Sequence, residues 1–121
     1  MRGYSSAVGG LLNYRFSKRI KEQKTKLHIV VNYFENQVLD KGWNAGFNKF
    51  YPDIPTIGCR GYIPSLQYLC TFPSLIEYSS GILPATISVI GKGSIDSTKE
   101  FATILNVENS PAFRFQHLWN E

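Results

Sequence analysis

The sequence has few cysteines and no long apolar run. Its 121 residues include two cysteines, Cys59 and Cys70, which lie eleven positions apart without a Cys-x-x-Cys pair or a nearby histidine. This spacing favours two reduced thiols on strands, with a structural zinc or a disulfide as the open alternatives. No stretch approaches the roughly 18 consecutive apolar residues of a membrane span, so we expect no membrane partner.

Complete motifs of nucleotide-binding and hydrolytic enzymes are also missing. For residues 91–94, Gly-Lys-Gly-Ser, to be a triphosphatase phosphate loop, position 86 would have to be glycine, but it is Thr86. The dinucleotide motif would need glycine at Asp96. There is no Gly-x-Ser-x-Gly and no pair of carboxylates on one helical face with a histidine. We therefore predict no enzyme activity, cofactor, metal or small-molecule substrate, and a small phosphate-handling enzyme is the weakest alternative.

Acidic residues are scarce at the amino-terminal end. Up to Lys26 the chain has seven basic residues and one acid, Glu22, whereas the remaining 95 residues have six basic and eight acidic residues. A positive charge confined to one end is typical of a surface that meets a polyanion, and a solvated helix face is the simpler alternative. The same acid-poor start also resembles an organelle transit peptide.

The amino-terminal half has the periodicity of two helices separated by a strand. Apolar residues four apart predict a first helix over about residues 7–23. The residues that carry this spacing are Val8, Leu12, Phe16 and Ile20. The segment "KLHIVV" predicts a short strand, and Asn32 is expected to cap a second helix that Gly42 closes.

Beyond Gly42 the apolar period changes to two, which indicates short strands. The strands are expected from Phe47 onward and include residues 66–72, the segment "ATISVI" and the alternating end at residues 113–119. Residues 97–100, Ser-Thr-Lys-Glu, fit a capping box that opens a third helix.

The order of these elements predicts an α+β fold of two small lobes, α-β-α-β-β followed by a β-rich lobe with one helix. We expect an N-terminal α/β lobe with a basic first helix at residues 1–55. A C-terminal β-rich lobe at residues 56–121 is expected to bind RNA. Its glycine turn and nearby hydroxyls would let backbone groups approach ribose and phosphate closely.

Two segments of the second half follow each other in the order found in a known family. Residues 71–78, "TFPSLIEY", have the form Ser-x-Pro-Gly-Leu-x-x-Tyr, with Thr71 for Ser and Ser74 for Gly. Residues 85–94, "ATISVIGKGS", are a hydrophobic strand running into a Gly-Lys-Gly turn, where that family has Ser-Thr-Ser-Lys-Gly and this chain keeps Ser88. Both segments resemble the small-subunit ribosomal protein eight family.

The amino-terminal half is similar to the same family in layout. "LLNYRF" resembles the first-helix segment Leu-Thr-Arg-Ile-Arg-Asn, with Arg15 at the second arginine, and "VLDKGWNAGF" resembles the end of the second helix. The resemblance implies a non-catalytic structural constituent of the small ribosomal subunit. Such a protein binds the central domain of small-subunit rRNA and touches neighbouring ribosomal proteins. Carried over by position, it implies RNA contacts at Arg15, Pro73, Ser74, Lys92, Gly93 and Ser94, to which the basic helix adds Lys18 and the remaining hydroxyl adds Ser88.

The expected location of the protein and its expected function each have one alternative. Divergence from the family and the acid-poor start lead us to expect a mitochondrial ribosome, with the cytoplasm as the alternative. The alternative function is a protein–protein interaction module without RNA, such as a small viral or inhibitory factor, in which aromatic strands form the interface.

Overall fold

The computed structural model describes residues 2–63, 65, 67–111 and 117–118. Their helices are α1 (Arg2–Glu22), α2 (Val38–Phe50), α3 (Leu75–Ser79) and α4 (Gly93–Thr98), with a 3-10 turn at Leu69–Thr71. Their strands are β1 (Val30–Tyr33), β2 (Thr56–Arg60), β3 (Thr86–Ile90) and β4 (Val107–Ser110). Helices together with one small sheet confirm the predicted α+β class.

The four strands form one parallel sheet in chain order, β1-β2-β3-β4. One row across the sheet runs through Asn32, Gly58, Ile87 and Val107. Parallel neighbours need a crossover connection, and α2, α3 and α4 lie in the three crossovers. Because all the strands run the same way, their carboxyl ends meet at one edge of the sheet, which we call the carboxyl edge.

One face of the sheet carries the core. Alternate residues of β2 are buried, ending with Arg60, and β3 contributes Ile87 and Val89. These two β3 side chains pack with Phe34 and Leu83 in the larger apolar cluster. A second cluster joins β1 to α2 through Val30, Phe47 and Tyr51. The opposite side of β1 is exposed.

Helix α1 packs on α2 through small residues. A methyl group at Gly42 would overlap the carbonyl group of Gly10, and one at Gly46 would overlap the Ser17 hydroxyl, so the two backbones lie in direct contact. The predicted first helix is confirmed, with bounds at residues 2 and 22. Its apolar side chains largely face outward, and Leu12 is 61% exposed.

The second helix differs from the prediction at both ends. It begins at Val38, because the Asp40 carboxylate accepts hydrogen bonds from the backbone N–H groups of Gln37 and Glu35 at 3.0 Å each. Asn32 therefore lies in β1 and caps no helix. The helix continues through Gly42 and Phe47 to Phe50, where strands had been expected.

Two further elements were predicted wrongly. Residues 67–72 form no strand, since a 3-10 turn occupies Leu69–Thr71. Helix α4 begins at Gly93, four residues before the expected cap, and the Ser97 hydroxyl donates to the Ser94 carbonyl oxygen from inside the helix. A capping box does form one crossover earlier, at Ser74 and Glu77 in α3.

The predicted pairs of consecutive strands do not occur among the described residues, because a helix separates each strand from the next. Strand β1 comes from residues 1–55 and β2 from residues 56–121, and the two strands pair along their length in one sheet. The expected final strand, residues 113–119, falls mostly outside the described residues.

Candidate functional site

The carboxyl edge collects polar side chains from successive strands. Strand β2 ends at Arg60, β4 ends at Ser110, and β3 is followed by the turn at Gly91, whose φ of 78° suits glycine. In open sheets of parallel strands, ligands bind outside these ends where the strand order reverses. The order β1-β2-β3-β4 has no such reversal, so only the side chains at this edge can indicate a site.

A hollow of about 490 Å³ lies at this edge. Its walls are Tyr33, Cys59, Arg60, Gly61, Ile90, Ser110 and Pro111. All four strands contribute, since each strand or the residue after it supplies part of the wall. The volume is within the range of roughly 300–1,000 Å³ typical of small-molecule sites.

Arg60 borders this hollow, but its side chain is only 1% exposed and lies on the core face of the sheet with Val89, while the neighbouring Cys59 faces the open side with Tyr33. Its Nη2 donates to the Thr71 carbonyl oxygen, while Nε and Nη1 have no hydrogen-bond partner among the described residues. The Phe34 ring centroid is 5.6 Å from the guanidinium carbon, and neither ion pair of the described residues includes Arg60. Burial lowers the pKa of Arg60, and the neighbouring Tyr62 partly opposes that change. A guanidinium held this way is short of an anion.

Two tyrosines lie next to Arg60. The Tyr33 and Tyr62 ring centroids are 6.5 Å apart with an interplanar angle of 41°. Gly61 lets the Tyr33 ring lie against the backbone, since a methyl group there would stand 2.8 Å from Tyr33 Cε2. Burial raises the pKa of Tyr62, Arg60 lowers it, and Glu35, Tyr33 and Asp40 raise it further. Tyr62 therefore remains a neutral phenol at neutral pH.

Cys59 contributes a thiol to the hollow, whereas Cys70 is exposed in the 3-10 turn. Burial, and then the charge of Glu108, raise the pKa of Cys59. Both cysteines are free. Both were expected on strands, but only Cys59 lies on one, since Cys70 is in the 3-10 turn.

A polar network fixes the segment that holds Arg60. The Asn36 side chain, on a residue with φ of 59°, donates to the Cys70 carbonyl oxygen at 2.8 Å, immediately before the Thr71 carbonyl that binds Arg60. Lys41 Nζ lies 2.8 Å from Glu77 Oε1, and Asn36 also donates to Glu77. The loop after β1, the 3-10 turn, helix α2 and helix α3 are thereby tied together.

The Glu77 carboxylate is the centre of this network. Burial raises its pKa, but hydrogen bonds from Lys41, Ser74 and Asn36, together with the charge of Lys41, outweigh burial and hold the pKa below its usual value. The carboxylate is therefore ionised at neutral pH and keeps α3 capped.

Of the RNA contacts predicted in the second half of the chain, some residues are buried and others are exposed. Pro73 is fully buried, the Ser74 hydroxyl caps α3, and Ser88 is buried in the middle of β3. Lys92 and Gly93 are exposed at the start of α4, and Ser94 is half-buried. Thus the structure joins Ser88 and residues 92–94 in one strand–turn–helix unit.

The predicted contacts in the first half lie elsewhere. Arg15 and Lys18 are exposed on α1, and Lys18 Nζ is 4.0 Å from Glu22 Oε1. Helix α1 packs chiefly on α2, so these cations are not brought to the carboxyl edge. Sequence reasoning missed Arg60 and Tyr33. The available signal was an arginine ending the apolar segment "TIGCR" immediately before a glycine.

Comparison with known protein families, with curated proteins and with solved structures finds no match for this chain. Among the described residues, no helix is long and apolar enough to cross a membrane. Within the same residues, no three His, Cys, Asp or Glu side chains are grouped closely enough to hold a metal ion.

Proposed function

We propose that this chain binds a small anion, with a phosphate or carboxylate group, at the Arg60 guanidinium beside the Thr71 carbonyl, on the core face of the sheet. The observation that carries the proposal is Arg60, a buried guanidinium with two donor nitrogens that lack partners among the described residues. This function differs from the sequence-based expectation of no small-molecule substrate.

The physical argument is the cost of burying a charge. A cation removed from water loses several kcal/mol of effective solvation, which an anion with good hydrogen-bond geometry offsets. The guanidinium fork suits a carboxylate or phosphate because its parallel N–H groups bind two oxygens at once. The Thr71 carbonyl oxygen accepts from Nη2, so Nε and Nη1, on different edges of the guanidinium, remain without partners among the described residues.

The test is anion binding by the whole chain, measured by calorimetry and by the rise in melting temperature with inorganic phosphate. Arg60→Met should abolish the phosphate effect. The variant should still fold, because replacing a buried ion with an apolar side chain of similar volume is often neutral or stabilising. Arg19→Met, on the exposed face of α1, is the matched control and should bind phosphate as the unchanged chain does. Phosphate binding that survives Arg60→Met would refute the proposal.

A second candidate function is that of a structural rRNA-binding protein of the small ribosomal subunit, in mitochondria or the cytoplasm. Exposed cations favour this function: Lys92 at the β3–α4 turn, and Arg15 and Lys18 on the outer face of α1. Its partners would be rRNA and neighbouring ribosomal proteins, with no membrane and no catalysis.

RNA binding is measured as affinity for a structured RNA at several salt concentrations. Lys92→Ala should weaken binding and lower the salt slope by about one phosphate contact. The native protein should also sediment with small ribosomal subunits. If the affinity for RNA changes neither with salt nor in Lys92→Ala, this function is contradicted, and the Arg60 proposal is unaffected.

A further inference from the structure

The side of the sheet that turns away from the core, which we call the open face, carries one side chain from the end of each strand. Tyr33 of β1 pairs with Cys59 of β2, and Ile90 of β3 pairs with Ser110 of β4. The two pairs share a face, because Cys59 also pairs with Ser88, two residues before Ile90. The four strand ends therefore build one continuous surface.

The hollow of about 490 Å³ lies over this surface, and most of its wall is apolar. Pro111 and Gly61 complete the wall, whereas the Arg60 side chain is buried on the core face and does not meet a ligand here. Parallel sheets as a rule have both faces covered, yet Val31 and Tyr33 are more than half exposed on this one. A ligand with an apolar body would remove that surface from water.

The Tyr33 ring offers the largest flat part of the wall. It lies against the backbone at Gly61, where a methyl group would stand 2.8 Å from Cε2. The Tyr62 ring is tilted by 41° with its centroid 6.5 Å away, so the two rings are not stacked on each other. A planar ring binds such an aromatic surface in an offset or edge-on arrangement.

The charge on the open face is negative. Glu108 pairs with Ser88 and is exposed, and neither ion pair of the described residues includes it. Two strand spacings of about 4.8 Å separate it from Cys59, whose pKa its charge raises. The other described strand residues of this face carry no charge. Such a surface attracts a cation, and so does the exposed ring of Tyr33.

From the apolar wall, the ring and the carboxylate we infer that the hollow binds a small organic cation, with a flat ring against Tyr33 and an ammonium group toward Glu108. Arylalkylamines have this chemistry. The inference goes beyond the anion site at Arg60 and does not depend on it, since the side chains of Cys59 and Arg60 leave β2 on opposite faces.

The experiment titrates the full chain, followed by NMR, with 2-phenylethylamine, 2-phenylethanol, phenylacetate and ethylamine. The first has both a ring and a protonated amine at neutral pH, and each of the others lacks or reverses one feature. At low salt, 2-phenylethylamine should bind about threefold more tightly than 2-phenylethanol, the scale of one exposed charge pair. Phenylacetate and ethylamine should bind more weakly still. If either of them binds as tightly as 2-phenylethylamine, the inference is overturned.

Two variants separate the ring from the charge. Tyr33→Leu should weaken binding of 2-phenylethylamine and of 2-phenylethanol about fivefold, whereas Tyr68→Leu, an exposed tyrosine outside the hollow, should not. Glu108→Gln should make the affinities for these two probes equal, whereas Glu100→Gln, an exposed acid beyond α4, should keep their difference. If Tyr33→Leu or Glu108→Gln binds 2-phenylethylamine as the unchanged chain does, the inference is overturned.

The two cysteines report where the probe binds. Cys59 lines the hollow and Cys70 does not. Saturating 2-phenylethylamine should slow thiol labelling of Cys59 and leave Cys70 unaffected. Equal protection of both thiols, or of neither, would contradict binding in this hollow.

Discussion

Positive charges are exposed on the outer face of α1 but buried at the carboxyl edge of the sheet. On α1, Arg15 and Lys18 lie in solvent, where a cation is hydrated and an ion pair contributes little. At the carboxyl end of β2, Arg60 is removed from water, and its Nε and Nη1 have no partner among the described residues. The density of charge along the sequence therefore identifies α1 and gives no sign of Arg60. A single buried cation makes a stronger case for a ligand than several exposed ones.

The two regions also differ in how they are packed. Helices α1 and α2 meet through glycines with backbone contact, whereas the carboxyl edge is organised by side-chain hydrogen bonds around Glu77. The stability of the helix contact should therefore depend on side-chain volume, and the stability of the hydrogen-bond network should depend on the protonation of Glu77. The predictions below test that contrast in order of decreasing effect.

The largest effect is expected from a larger residue at the helix contact. Gly42→Ala places a methyl group where the Gly10 backbone lies, so α1 must move away or unfold. We expect a loss of about 3 kcal/mol in the free energy of unfolding, measured by urea denaturation. Gly93→Ala is the control, because nothing lies within 4 Å of that position, and it should be neutral or slightly stabilising. Equal stability of the two variants would mean that the close helix contact does not exist.

A smaller, pH-dependent effect is expected at Glu77. Folding lowers the pKa of Glu77 from the ordinary value of 4.5. The ionised carboxylate therefore adds to the free energy of unfolding above that pH, and this stabilisation is lost as the pH falls through the folded-state pKa. Glu77→Gln should cost about 2 kcal/mol at neutral pH, the scale of hydrogen bonds to a charged group. The difference between the two proteins should shrink steadily below about pH 4.5.

The control for this prediction is Glu22→Gln on α1. Its partner Lys18 is 4.0 Å away and both side chains are more than half exposed. Thermal unfolding from pH 3 to pH 8 should show that Glu22→Gln changes the free energy of unfolding by no more than about 0.5 kcal/mol at any pH. If Glu77→Gln changes the free energy of unfolding no more than Glu22→Gln does, the hydrogen-bond network around Glu77 does not stabilise the fold.

The smallest effect concerns thiol reactivity without any ligand. Burial raises the pKa of Cys59, and the thiolate is the reacting form, so Cys70 should react first with a maleimide or iodoacetamide at neutral pH. Peptide mass spectrometry after short labelling times measures the order. Raising the pH should speed the labelling of Cys59. The reverse order would show that the Cys59 thiol is better hydrated than its burial indicates.

Part of the fold could be predicted because the relevant interactions are local. The first helix follows from apolar residues four apart, and β3 follows from the apolar run "ATISVI" ended by Gly91. The segment after β2 was predicted wrongly because its alternation of apolar residues falls in a turn. The cap of α2 was placed at Asn32 because the capping box at Gln37 and Asp40 departs from the Ser/Thr-x-x-Glu/Gln form by which such a box is recognised.

By itself the sequence determined a mixed α+β class, a basic amino-terminal helix and the incompleteness of nucleotide-binding motifs. Only the tertiary structure decided that the strands run parallel, that Tyr33 and Cys59 border one hollow, and that the Arg60 side chain is buried. The reason is range: periodicity and capping act within a few residues, whereas strand direction and side-chain burial depend on pairing between segments about 25 residues apart. The burial of Arg60 is a product of that pairing and has no local signature.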